Sequence, residues 1–186
     1  MSKTLILASS SPRRQELLTL VNQPFTIRKP DVDESQIETN DPVEKVKQLA
    51  VLKGRNVPIY RDDEIILSAD TVVSYQNSIF EKPKDRHEAY NMIKALSDDT
   101  HEVYTGFMLR SKDEEVVHVE KTEVQFWPLT EEEIEQYIDT NDPYDKAGSY
   151  GIQSLGALFV KQIIGDYYNV VGLPISRVMK VYKEFR

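Results

Sequence analysis

The stretch Leu5-Ile6-Leu7-Ala8-Ser9-Ser10-Ser11-Pro12-Arg13-Arg14-Gln15-Glu16-Leu17-Leu18 passes from an apolar run through three serines into a proline-led segment. The apolar run reads as a strand. Pro12 fits the first position of a helix, with Ser11 as its N-cap. A strand turning directly into a helix aims free backbone N–H groups and three hydroxyls at one point, where an anion is favoured. Arg13 and Arg14 break the local rule, because cations in a first turn oppose the helix dipole. A rule broken that openly marks a functional site. A strongly negative ligand at the helix start, such as a polyphosphate, resolves the conflict.

Helices and strands alternate outward from this unit. Asp41-Pro42-Val43-Glu44 has the spacing of a capping box, and Val46, Leu49 and Ala50 share one face of the helix that follows. Ile65 to Ala69 reads as a buried strand, which Val72 and Val73 continue into a turn at Gln76-Asn77-Ser78. Asp85 with Glu88 caps a helix whose stripe is Ala89, Met92, Ile93 and Leu96. Two long strands are expected between Val103 and Trp127, joined near Ser111-Lys112-Asp113-Glu114. Thr130 with Glu133 opens a third capped helix, Leu158 to Ile164 reads as a strand, and a last helix follows Pro174. This order predicts an α/β domain over 1–186 with a mixed, twisted sheet flanked by helices.

Bulk composition narrows the function. The 186 residues include 31 acidic and 23 basic side chains, a formal net charge of −8, which argues against general nucleic-acid binding. No apolar run approaches membrane-spanning length, and the start lacks a secretory h-region, so the cytoplasm is the expected compartment. The absence of cysteine rules out disulfides, thiolate catalysis and thiolate metal sites.

Four further features bear on chemistry. Asp70, followed by Thr71, is placed at the C-terminal end of an apolar strand, where carboxylates bind metals or act as bases; the plainer reading is an Asp that opens a turn. In Glu81-Lys82-Pro83-Lys84-Asp85, Lys82 precedes a helix start and could meet a phosphate there, although taken alone the two lysines read more simply as a solvated loop. Lys53 falls at the i+7 position of the Val46–Leu49–Ala50 stripe, so it points to the buried side and calls for an anionic partner unless it snorkels. One carboxylate of Asp31-Val32-Asp33-Glu34 would complete a metal site with Asp70, against the alternative of an ordinary acidic loop. In Tyr144-Asp145-Lys146-Ala147-Gly148-Ser149-Tyr150-Gly151-Ile152-Gln153, the glycines permit a tight backbone, and Gln153 offers the paired donor and acceptor that reads a base edge, against the alternative of an ordinary loop. The three histidines show no ligand spacing.

Five segments in chain order resemble the Maf-like nucleotide pyrophosphatases: Ala8 to Arg14, Ser68 to Val73, Lys82 to Asp85, Lys146 to Gln153 and Tyr167 to Pro174. The resemblance implies hydrolysis of nucleoside triphosphates to monophosphate and pyrophosphate with a divalent cation. It also implies a fold related to the inosine triphosphate pyrophosphatases and a homodimer. Carried over by position, Asp70 matches the catalytic acidic residue that activates water, and Arg13, Thr71 and Gln153 match positions tied to substrate choice. The Lys146–Gln153 segment looks like the dTTP/UTP branch. The expected arrangement gathers Ser9, Arg13, Arg14, Lys53 and Lys82 around the triphosphate, with Mg²⁺ or Mn²⁺ on Asp70 and Glu34. The alternatives are a pyrophosphatase for purine or modified nucleotides and a nucleotide-binding regulator of cell division. The chain departs from the family pattern at Glu81, at Asp98-Asp99 and at Ser154, where glycines are usual.

Overall fold

The computed structural model describes residues 3–185, so residues 1, 2 and 186 of the expected domain lie outside it. Among the described residues one mixed sheet runs in the order β2-β1-β3-β5-β6-β7, with β4 paired to β3. Its strands are β1 (Thr4–Leu7), β2 (Phe25–Ile27), β3 (Glu64–Tyr75), β4 (Ser78–Phe80), β5 (Thr100–Arg110), β6 (Glu115–Phe126) and β7 (Val160–Ile164). β1 is parallel to β2 and β3, whereas the other pairings are antiparallel. The helices are α1 (Pro12–Leu20), α2 (Pro42–Asn56), α3 (Arg86–Leu96), α4 (Glu131–Ile138), α5 (Tyr167–Val171) and α6 (Ile175–Glu184).

The parallel centre is buried on both faces, and its side chains alternate accordingly. Leu5, Leu7, Ile65 and Leu67 join Leu17 and Leu18 of α1 and Val178 and Tyr182 of α6 in the largest core. Ile6, Ala8 and Ile66 point the other way, to Val57 at the end of α2. A second core unites Val73, Val103, Val124 and Phe126 with α3 and α4. The two large cores sit side by side along β3 and β5, and a large cavity opens where they meet.

Several expectations are corrected. Ser11 occupies the N-cap of α1, yet its side chain makes no cap bond; Ser9 Oγ instead accepts the Ser11 N–H at 3.1 Å. The sequence places Asp70 at a strand end, but β3 runs through to Tyr75, because the antiparallel ladder with β5 continues after β1 has stopped. The segment at Leu158 begins as a 3-10 turn (Leu155–Phe159), with the strand starting only at Val160. The Thr130–Glu133 capping box forms in both directions. At Asp41 and Asp85 the cap carboxylate binds as expected, but neither box closes: the Asp41 N–H donates to Thr39 Oγ1, and Glu88 accepts from the Lys84 N–H instead of the Asp85 N–H.

Candidate active site

A cavity of about 1270 Å³ is lined by the β1–α1 loop, α2, the middle of β3, the β4–α3 loop and the segment 145–154. Its position follows from the early end of β1. Beyond Leu7 that strand leaves the sheet, Ala8 makes one last bond to the Leu67 carbonyl, and β3 is left with a free flank at Asp70. Gly106 pairs with Asp70 across the β3–β5 ladder. A Cβ at Gly106 would lie 2.5 Å from the Val46 carbonyl oxygen, so only glycine lets α2 lie this close to the sheet. That close approach brings Lys53 over Asp70.

Lys53 Nζ donates to Asp70 Oδ1 at 2.5 Å and lies 3.1 Å from Glu34 Oε1. One ammonium thus holds two carboxylates from separate elements at a single point. Asp70 is buried, and burial raises its carboxyl above the ordinary range, with the Lys53 and Arg14 charges working in the opposite direction. Glu34 sits on an exposed 3-10 turn (Glu34–Gln36), whose start Asp33 caps through Ser35.

Arg14 forms the floor. Its guanidinium donates from Nε to the Gly172 carbonyl at 2.8 Å, from Nη1 to Ser9 Oγ at 3.2 Å and from Nη2 to Thr71 Oγ1 at 3.3 Å. Burial lowers its pKa, while Asp70 acts to raise it. Thr71 Oγ1 is also 2.8 Å from Thr105 Oγ1, so Thr71 belongs to this buried network as well as to the cavity wall. Arg13 pairs with Asp145 at 3.2 Å, and both residues line the cavity. Lys82 and Gln153 are exposed on the wall, and neither makes a side-chain hydrogen bond or ion pair among the described residues.

The cavity therefore brings together every residue expected there: Ser9, Arg13, Arg14, Glu34, Lys53, Asp70, Thr71, Lys82 and Gln153. Sequence reasoning missed Lys45, whose Nζ donates to the Ile37 carbonyl at 2.8 Å and pairs with Glu81 at 3.2 Å. It also missed the Asp145 partner of Arg13 and the Asp142 carboxylate that Tyr137, Lys146 and Ser154 contact. These contacts join residues 36 to 132 positions apart or lie inside a loop, where no periodicity reports them. The Glu81 carboxylate, at one of the positions where the chain departs from the family pattern, pairs with Lys45. Asp98 adopts φ 59°, the left-handed conformation that explains why glycine is usual at that turn.

The model of the Maf-like protein family matches residues 4–185. The chain belongs to the Maf-like family. This Maf-like protein is 52% identical to the dTTP/UTP pyrophosphatase of Bacillus cytotoxicus over 98% of its own chain and 96% of that relative. It is 51% identical to the protein of the same name from Halalkalibacterium halodurans, over 97% and 95% of the two chains. Among solved structures, a HAM1 protein from Coxiella burnetii superposes with a TM-score of 0.58 at 14% identity, covering 98% of this chain and 99% of that one. That likeness shows the fold alone. The Maf-like architecture is thus a mixed α/β sheet flanked by helices, as expected from the order of elements.

Proposed function

We propose that the protein hydrolyses dTTP and UTP to the nucleoside monophosphate and pyrophosphate. The observation that carries this reading is the buried Asp70 beneath Lys53, inside a cavity whose cations converge from four chain segments. The relatives that are half identical over nearly the whole chain bear the same activity in their names.

In this mechanism, Asp70 orients a water against the α-phosphorus and accepts its proton. The water oxygen forms a bond to phosphorus as the bond to the bridging oxygen breaks, and pyrophosphate leaves. Burial of Asp70 favours this role, since a carboxylate raised above its usual range is a better base near neutral pH. Ser9, Arg13, Arg14, Lys53 and Lys82 spread their positive and hydrogen-bonding groups over the phosphates and the leaving group. Gln153 reads the base edge, and Arg13 and Thr71 shape the same choice.

No cluster of three or more metal-ligating side chains occurs among the described residues. The paired carboxylates of Asp70 and Glu34 nevertheless suit Mg²⁺ or Mn²⁺, which is commonly held by one or two carboxylates completed by substrate phosphates. A cation there would lower the pKa of a bound water and neutralise phosphate charge. The working form is proposed to be a cytoplasmic homodimer. No helix among the described residues is long and apolar enough to cross a membrane, and sedimentation at assay concentration tests the dimer.

The deciding experiment is a panel of dTTP, UTP, CTP and purine triphosphates with Mg²⁺ or Mn²⁺, with the products identified. Monophosphate and pyrophosphate from dTTP and UTP are expected. Orthophosphate with a diphosphate would overturn the bond assignment.

A further inference from the structure

Gln153 sits between two anchored neighbours. On one side Ile152 is buried in the largest core. On the other, Ser154 Oγ lies 2.8 Å from Asp142 Oδ2 and 3.2 Å from the Gly151 carbonyl; the charged acceptor at the shorter distance takes its single hydrogen. Ser154 has extended backbone angles (φ −125°, ψ −152°), so nothing in its conformation requires the glycine usual at this position. The hydroxyl is what distinguishes it.

Asp142 gathers more than this one bond. Its Oδ2 also accepts from Tyr137 Oη at 2.9 Å, while Lys146 Nζ lies 3.3 Å from its Oδ1 and 2.7 Å from its backbone carbonyl. Burial acts to raise the Asp142 carboxyl, but the Ser154 and Tyr137 bonds together with Lys146 leave it below its ordinary value, an ionised acceptor. From Lys146 the chain of contacts continues to Asp145 Oδ1 at 2.7 Å, and from Asp145 Oδ2 to Arg13 at 3.2 Å. Residues 13 and 153, distant in sequence, are therefore the two ends of one polar chain: Arg13, Asp145, Lys146, Asp142, Ser154, then Gln153 through the backbone.

We infer that Asp142 and Ser154 are positioning residues that fix Gln153, and through Lys146 and Asp145 also Arg13, and thereby set nucleotide selectivity. The inference rests on the proposed triphosphate pyrophosphatase reading. It gives Ser154 a role of its own: the hydroxyl closes a latch that glycine would leave open. A fixed Gln153 discriminates because its amide meets only bases with the matching edge, whereas a loose one adapts to several.

The test uses the full chain carrying Ser154→Ala or Ser154→Thr. Loss of one hydrogen bond to a charged acceptor predicts a rise in KM for dTTP and UTP of roughly three- to tenfold in Ser154→Ala, with kcat changed by less than about twofold. The kcat/KM preference for dTTP over CTP should narrow by a similar factor, and Ser154→Thr, which keeps the hydroxyl, should restore it. Backbone amides of residues 151–154 should exchange with deuterium faster in Ser154→Ala. Unchanged selectivity, or an equal fall in kcat on every nucleotide, would overturn the latch. Failure of the wild-type protein to hydrolyse dTTP and UTP would instead overturn the pyrophosphatase reading. The latch would then be judged on exchange alone, with unaltered protection in Ser154→Ala counting against it.

Discussion

Arg14 lies in the first turn of a helix, buried and without a directly bonded carboxylate, and three hydrogen bonds to Gly172, Ser9 and Thr71 hold it there. Lysine cannot reproduce that fork. Arg14→Lys is expected to cost about 2 kcal/mol of stability and to reduce turnover, since the lost bonds also orient Ser9 and Thr71. Chemical denaturation with steady-state kinetics checks both; a variant as stable and active as the wild type would remove Arg14 from the framework. Asp70→Asn keeps shape but not basicity, and a fall in kcat of at least about a hundredfold is expected. Measured turnover near the wild-type value would exclude Asp70 as the base. Lys53 was legible in the sequence because helical periodicity alone turns it inward. Asp70 was legible as a candidate, but its place in mid-strand was not, since strand length depends on a partner that sequence order does not reveal.

At the scale of elements, helix starts behave differently even where their sequences look alike. Thr130 and Glu133 satisfy each other's backbone N–H groups, so Thr130→Ala should cost about 1 kcal/mol. Ser11 caps nothing with its side chain, and Ser11→Ala should stay within about 0.5 kcal/mol despite its textual likeness to a cap. Urea unfolding of the two variants under one set of conditions separates them; equal losses would contradict the assigned geometry. Long periodic segments such as α2, α3 and the β5–β6 pair were readable because many residues report one pattern. The five-residue α5 was not, having too few turns to show a stripe; its start is instead fixed by Asp166, which accepts from the Tyr168 and Asn169 N–H groups. The β3–β4 turn is set by positive φ at Gln76 (48°) and Asn77 (63°), matching the mirror-image turns that two-residue hairpins favour.

Across the whole molecule, a net charge of −8 coexists with a cavity whose cations are mostly paired with carboxylates. Global stability also depends on pH through buried titrating groups, and His101 is one of them. His101 is 1% exposed between Phe126 and Tyr150; its Nε2 is 2.6 Å from Tyr150 Oη, and its Nδ1 has no partner. Burial lowers its pKa to about 4, with the Asp99 charge opposing. The unfolded chain binds the His101 proton near pH 6.5, whereas the folded one does so only near 4, so unfolding takes up a proton between those values. The contribution is complete above about pH 6.5 and is lost as pH falls toward 4. From pH 7 to 4.5, the wild-type protein should lose roughly 2–3 kcal/mol more than His101→Gln, which carries no titrating ring. Urea unfolding at a series of pH values measures this directly. Parallel stability profiles for the two proteins would show that His101 is not held neutral by the fold. A steeper wild-type profile would tie the Tyr150 wall of the cavity, through its buried imidazole partner, to the pH limit of the fold.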